Sequence, residues 1–155
     1  TALADYTESF RSCNWEEKMS DNKMELKFKA LPENESFARM VISAFIIQKN
    51  PPLSVISEVR TAVSEAVTNV IVHSGSEVAV MRAECIGETV IIEIEDYGCG
   101  IQDIQTAMQP FYTSKPDQER TGIGFALMQS FMDGVKVSSS PNQGTTVRLT
   151  KRLNV

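Results

Sequence analysis

Hydrophobic and polar residues alternate over 24–30, "MELKFKA", a pattern typical of a half-buried strand. Beyond it the apolar positions change to three- and four-residue steps, which predicts a helix from about Glu33 to Gln48. The residues that carry this spacing are Phe37, Met40, Val41, Ala44, Phe45 and Gln48. A second helix is predicted from about Leu53 to His73. Its predicted core stripe is Ile56, Val59, Val63, Ala66, Val67 and Val70.

The second half of the chain is predicted to contain four strands and one helix. "SEVAVMRAEC" and "TVIIEIED", joined by "IGE", form a predicted hairpin. Residues 97–121 lack periodicity, and a loop of more than about 12–15 residues in a compact domain is usually functional or disordered. "GIGFALMQSFMDG" predicts a helix closed by Gly134, and "VKVSSS" and "TTVRLTKRL" a final hairpin. This order predicts an α+β two-layer sandwich, with helices covering one face of a mixed, mostly antiparallel sheet.

Composition narrows the classes of function only modestly. The chain has 155 residues and a net charge of −5, which argues against nucleic acid or an anionic membrane as the main partner. Its three cysteines and single histidine provide neither a disulfide framework nor a zinc signature. We expect a reducing, cytoplasmic setting. No apolar run approaches the ~18 residues required to span a bilayer.

A domain boundary is predicted near residue 18. Residues 19–155 form the predicted domain, and residues 1–18 an N-terminal extension. Within the extension Leu3, Tyr6, Phe10 and Cys13 recur at helical spacing, although so short a helix is marginal alone in water. The extension is interpreted either as a disordered or non-native tail, or as a segment that docks on the domain or on a partner.

Glu65 and Asn69 are four residues apart, so they share one face of the second helix. That face also carries Glu58 and Thr68 at its edges and lies away from the valine stripe. Polar residues opposite a core stripe are typical of any surface helix, so this pair alone does not identify a site.

Two glycine-containing motifs follow. "DYGCGI", from Asp96, stands at the end of a predicted strand. It fits a simple turn. It also fits a ligand site, in which glycines let the backbone approach a flat ligand and a buried Asp accepts a hydrogen bond from an exocyclic amine. "TGIGFALM", from Thr121, opens a helix; its glycines suit either close packing or phosphate binding at the helix N-terminus.

The order and spacing of these three motifs resemble the N, G1 and G2 boxes of the ATPase superfamily that includes gyrase, Hsp90, histidine kinases and MutL. The resemblance implies a Bergerat-type ATP-binding fold with a mobile lid between G1 and G2. "NESFAR", "SEAVTN", "DYGCGI", "QPFYTSKP" and "ERTGIGFALMQSFMD" further resemble the bacterial anti-sigma-F factors, serine kinases of spore-forming bacteria. This resemblance covers roughly residues 24–150.

The resemblance implies a role for each matching residue. Glu65 is the implied general base, and Asn69 the implied ligand of the Mg²⁺ that bridges the ATP phosphates. Asp96 is implied to bind the adenine amine, with Gly98 and Gly100 shaping the pocket and Thr145 or Thr146 supporting Asp96. The implied phosphate contacts are Gly122 and Gly124, and Arg120 is the implied γ-phosphate contact. The remaining lid and nucleotide-binding candidates are Thr113, Ser114, Lys115 and Thr121.

The implied function is that of an anti-sigma factor that binds a sporulation sigma factor with ATP and phosphorylates an anti-anti-sigma protein on serine. A homodimer is implied, with Arg39 as a partner contact and exposed apolar residues such as Met24 or Phe28 as candidate interface. Alternatives are the general stress-response kinase of the same family and a sigma-binding module that uses ATP only structurally. A histidine kinase ATP-binding half is disfavoured, since His73 lies in the N-box helix and no phosphoacceptor helix precedes it.

One departure from the family pattern affects the region after the N box. Ser74 stands where a glycine usually follows the histidine, and the connection "HSGSEV" is short. We expect this to reshape the rim of the pocket without removing a catalytic group.

Overall fold

A computed structural model describes residues 21–109 and 124–154 of the protein. The predicted extension over 1–18, and the part of the predicted lid from residue 110 onward, therefore lie outside the described residues. The strands are β1 (Asp21–Lys29), β2 (Val78–Ile86), β3 (Thr89–Asp96), β4 (Gly134–Ser139) and β5 (Thr145–Arg152). The helices are α1 (Glu33–Ile47), α2 (Leu53–Asn69), α3 (Ile104–Ala107) and α4 (Gly124–Phe131), and a π-helical turn (Val70–Ser74) continues α2.

The five strands form one sheet in the order β1-β2-β3-β5-β4, and each of its neighbouring pairs is antiparallel. Alternate residues of each strand point to opposite faces. The inner face carries apolar residues such as Met81, Ile92 and Leu149, all fully buried. These pack with residues of α1, α2 and α4 in one hydrophobic core, so the predicted α+β two-layer sandwich is confirmed.

The outer face of the sheet carries charged residues that pair across strands. Arg82 on β2 lies between Glu25 of β1, at 2.8 Å, and Glu95 of β3, at 2.5 Å. The two carboxylates hold the pKa of Arg82 above its ordinary value, so its guanidinium stays charged. On β3 and β5, Glu93 and Arg148 form a further ion pair at 3.4 Å.

The buried stripe of the first helix overlaps only partly with the residues that carried the predicted spacing, and the two sets share Phe45. Its buried residues are Ala38, Ile42, Phe45 and Ile46, whereas Phe37 and Met40 are 46% and 68% exposed. Both sets fit helical spacing, and the sequence pattern alone could not choose between them. The predicted exposure of Phe28 is wrong for a different reason: strand alternation places this residue on the core-facing side of β1, where it is 7% exposed. Met24, on the same face of β1, is half-buried and packs against the core.

The second helix is buried along the predicted valine stripe, with Ile56 only half-buried. It ends at Asn69 rather than at His73, because the last turn widens into the π-helical turn. Its polar face is also narrower than predicted. Thr68 is buried, and Glu58 pairs at 2.7 Å with Lys151 of β5.

Lys151 also fixes one end of α4. Its ammonium group donates a 2.6 Å hydrogen bond to the carbonyl of Phe131, the last residue of that helix. A cation at a helix C-terminus interacts favourably with the helix dipole and with the unpaired carbonyls there. One side chain therefore connects α2, the C-terminal end of α4, and β5.

Candidate functional site

Asp96 ends β3 with its carboxylate pointing to the inner, helix-covered side, and it is 5% exposed. Its Oδ1 accepts a hydrogen bond of 2.9 Å from the backbone N–H of Gly98. The backbone N–H of Thr145, the cross-strand partner of Asp96, donates to the same carboxylate. Burial raises the pKa of Asp96, and these two hydrogen bonds oppose that rise without cancelling it. The protein thus keeps a buried carboxyl group with a raised pKa at the end of a strand.

The raised pKa of Asp96 predicts a specific pH dependence of stability. Because the folded state holds this proton more tightly than the unfolded state, unfolding becomes easier as pH rises from the ordinary Asp pKa of about 3.9 through the folded pKa. Asp96→Asn has no such proton. We therefore expect the free energy of unfolding of the variant, relative to wild type, to increase with pH across that window. Urea unfolding at a series of pH values measures this difference, and a difference that is flat or decreases with pH contradicts the assignment.

Gly98 and Gly100 are required by contacts within the protein. A Cβ on Gly98 would lie 1.9 Å from the carbonyl oxygen of Ser74, and a Cβ on Gly100 would lie 2.0 Å from that of Ser140. Between them, Cys99 donates its N–H to Ser74 at 2.8 Å and accepts from the N–H of Asn142 at 2.7 Å. The loop after Asp96 is thus held between two other backbones, so protein packing by itself accounts for both glycines.

Ser74 has a larger part in this arrangement than the sequence indicated. Its hydroxyl donates to the carbonyl of Val70 at 2.7 Å and accepts from the N–H of Ser76 at 3.0 Å, closing the π-helical turn. Its own carbonyl receives the N–H of Cys99. Ser74 therefore connects the helix that carries Asn69 to the loop that follows Asp96.

Ser139 is a supporting residue that the sequence analysis did not identify. Its hydroxyl accepts the N–H of Ile101 at 2.7 Å and donates to the carbonyl of Gly144 at 2.9 Å. It also lies 2.8 Å from the hydroxyl of Thr145. In the sequence it stands in the run "SSS", where nothing distinguishes it from its neighbours. Thr146 has its Cα opposite Glu95, so it faces the other side of the sheet from Asp96, and Thr145 alone of the predicted pair lies beside Asp96.

Glu65, Asn69 and Gly124 meet where α2 passes the start of α4. Both α2 side chains are half-buried rather than freely solvated. A Cβ added to Gly124 would lie 3.0 Å from Oε2 of Glu65 and 3.6 Å from Oδ1 of Asn69. A carboxylate and an amide oxygen thus lie directly against the start of a helix, so the structure brings the first and third motifs together.

The residues at this junction fit a nucleotide with its metal ion. An amide oxygen is a suitable Mg²⁺ ligand, and Mg²⁺ in proteins commonly keeps waters and substrate phosphates as its other ligands. Among the described residues, no group of three or more His, Cys, Asp or Glu side chains could hold a metal ion. The start of α4 supplies backbone N–H groups of the kind that bind phosphate.

Six predicted site residues lie outside the described residues: Thr113, Ser114, Lys115, Arg120, Thr121 and Gly122. Arg39 is described and lies on α1, where its Nε is 3.8 Å from Oε1 of Glu35. Over 21–109 and 124–154, no helix is long and apolar enough to cross a membrane.

The fold and this junction define a histidine kinase-like ATPase domain. A sequence model of that family, described as "Histidine kinase-like ATPase domain", matches residues 28–151. The catalytic domain of the histidine kinase ThkA superposes with a TM-score of 0.54 at 13% identity, covering 84% of this chain and 97% of that one. A Mycobacterium tuberculosis chain described by its RsbU and RsbW domains gives a TM-score of 0.63 at 19% identity, covering 85% of this chain and 32% of that one.

Proteins similar to this chain over most of its length identify its family within the histidine kinase-like ATPases. An anti-sigma F factor of Clostridium botulinum is 50% identical over 142 residues, covering 88% of this chain and 99% of the relative. An anti-sigma F factor of Bacillus velezensis is 45% identical over 143 residues, covering 86% and 94%. The chain belongs to the anti-sigma F factor family.

Proposed function

We propose that this protein is an anti-sigma factor and a protein serine kinase. With ATP and Mg²⁺ bound, it holds a sporulation sigma factor of RNA polymerase, and it phosphorylates an anti-anti-sigma protein on a serine. The observation that carries the proposal is the junction of Glu65, Asn69 and Gly124 in a chain of this family. We place the protein in the cytoplasm, where its proposed partners are found.

The proposed nucleotide site extends from Asp96 to the start of α4. The buried carboxylate of Asp96 accepts a hydrogen bond from the exocyclic amine of adenine. Asn69 would hold Mg²⁺, and the ion would supply neutralisation of the phosphate charge. Gly124 and Gly122 present backbone N–H groups to the phosphates. Arg120 contacts the γ-phosphate, and Lys115 is the second candidate for that contact. Thr113, Ser114 and Thr121 are the remaining proposed nucleotide-binding residues.

Glu65 is the proposed general base. Its carboxylate accepts the proton of the acceptor serine hydroxyl as that oxygen bonds to the γ-phosphorus and the bond to the ADP oxygen breaks. The position of Glu65 supports this role, since its Oε2 lies at the start of α4, where the phosphates are proposed to bind.

The proposed partner contact on α1 is Arg39, which keeps 38% of its side chain exposed. The same helix also exposes the apolar side chains of Phe37 and Met40. Apolar and arginine side chains together are typical of the centres of protein interfaces. The family resemblance further supports a homodimer.

Two alternatives remain within this fold. A sigma-binding module that uses ATP only structurally would retain the nucleotide site without using Glu65 as a base. The general stress-response kinase would act on a different sigma factor. Both are tested with purified sigma and anti-anti-sigma proteins of the sporulation and stress-response types, in ATP and in ADP. Phosphate transfer to the sporulation-type substrate, together with sigma binding that ATP favours, supports the proposal. ATP binding without phosphate transfer supports the sigma-binding module. Transfer only to the stress-type substrate supports the general stress-response kinase.

Asn69→Ala is expected to weaken binding of Mg-ATP at least about tenfold, since the metal loses its protein ligand. Titration calorimetry with ATP, in Mg²⁺ and in EDTA, measures the loss. If Asn69 acts through the metal, the variant and wild type differ in Mg²⁺ and converge in EDTA. An equal deficit in both conditions would instead indicate a metal-independent role.

A further inference from the structure

A side-chain hydrogen bond connects α1 and α2 close to the proposed partner contact. The hydroxyl of Ser64 donates to Oε1 of Glu35, and both side chains are partly buried. Ser64 directly precedes Glu65 on α2, and Glu35 is one helical turn before Arg39 on α1. The bond therefore joins the helix of the proposed base to the helix of the proposed partner contact.

The same carboxylate oxygen faces Arg39 without bonding to it. Oε1 of Glu35 is 3.8 Å from Nε of Arg39, beyond the 2.7–2.9 Å typical of a charge-assisted hydrogen bond. Nε is buried and has no hydrogen-bond partner in the described part of the chain. Buried donors are rarely left unpaired, and each exception requires an explanation. Here the nearest carboxylate is held by a competing donor.

We propose that Ser64 is a positioning residue that keeps the Glu35 carboxylate from closing onto Arg39. A carboxylate and a guanidinium four residues apart on a helix would otherwise form a hydrogen-bonded ion pair. With Oε1 engaged by Ser64, the guanidinium stays free to bind an acidic side chain of a partner protein. The inference rests on the proposed partner role of Arg39, and it adds a residue that controls how available Arg39 is.

The positioning itself can be tested without any partner. In Ser64→Ala, Glu35 loses its competing donor, and we expect the Nε–H resonance of Arg39 to move downfield and to exchange with water several-fold more slowly. The resonance is identified in ¹⁵N–¹H spectra by its absence in Arg39→Lys. Ser57→Ala is the matched control, because Ser57 is an exposed serine of α2. An Arg39 resonance that is the same in Ser64→Ala and in wild type overturns the proposal.

Partner binding gives the second readout. Ser64→Ala should weaken ATP-dependent binding of the sigma factor about three- to tenfold, the range expected when one charged contact is partly withdrawn. Adding Glu35→Gln, which removes the competing charge at nearly constant size, should restore most of the affinity. A purely structural role of Ser64 predicts that the double variant binds no better than the single one, and that result would refute the positioning role. If Arg39→Ala binds as wild type does, the partner role of Arg39 fails, while the NMR result still decides the role of Ser64.

Discussion

Replacing Glu65 with glutamine or alanine is expected to lower the rate of phosphate transfer at least about 100-fold, the lower range for loss of a general base. ATP affinity should change less than about threefold, because Asp96 and Asn69 remain in place. Single-turnover transfer from labelled ATP to the anti-anti-sigma protein measures the first quantity, and calorimetry the second. Glutamine has the same size as glutamate and leaves the packing against Gly124 unchanged, so it isolates the loss of the basic oxygen.

The result also distinguishes two roles for this carboxylate. A residue that only orients the acceptor serine could be replaced by glutamine with a modest loss, since the amide oxygen can still accept its hydrogen bond. A base cannot be replaced in this way. Transfer by Glu65→Gln within a few-fold of wild type would therefore disprove the assignment of Glu65 as the base.

Gly98→Ala is expected to lower the free energy of unfolding by about 2–4 kcal/mol, a magnitude typical of overpacking combined with a lost buried hydrogen bond. Its Cβ would lie 1.9 Å from the Ser74 carbonyl oxygen, which is backbone and cannot move aside cheaply. Moving the loop disturbs two hydrogen bonds, from Cys99 to Ser74 and from Gly98 to Asp96. ATP affinity should therefore also fall, as the acceptor for adenine loses its support.

The matched control for Gly98 is Gly87→Ala in the β2–β3 turn. Gly87 has φ of 57°, so alanine there is strained by about 1–2 kcal/mol, but no atom lies within 4 Å of its added Cβ. Denaturant unfolding and ATP titration of both variants distinguish the effect of backbone strain, expected in Gly87→Ala, from the effect of the steric clash with Ser74, expected in Gly98→Ala. If the two variants lose equal stability and both keep wild-type ATP affinity, the contact between Gly98 and Ser74 does not position Asp96.

The sequence predicted the order of the main elements because the period of apolar residues changes clearly between strands and helices. The resemblance of three motifs to a known family also placed Glu65, Asn69 and Gly124 in one predicted nucleotide site. The sequence did not identify the buried face of α1, since two apolar stripes share the same helical spacing and only packing selects one. Nor could it find Ser139 or the role of Ser74, because a serine that bonds backbone groups across the fold resembles any other serine in a sequence. In the sequence, the glycines of "DYGCG" fit either a turn or the close approach of a ligand; in the structure, backbone atoms of Ser74 and Ser140 lie where their Cβ atoms would be.

The ion pairs on the outer face of the sheet distinguish the native strand alignment from its nearest competitors. A slip of two residues between β1 and β2 would keep every apolar side chain on the inner face, so hydrophobic burial opposes it only weakly. In the native alignment Arg82 has Glu25 opposite it. A slip in one direction would place Lys23 opposite Arg82, and a slip in the other would place Lys27 there and Glu25 opposite Glu84. Like charges directly opposite each other are unfavourable. The charged residues of β1 therefore specify its register with β2, which its apolar residues alone would not.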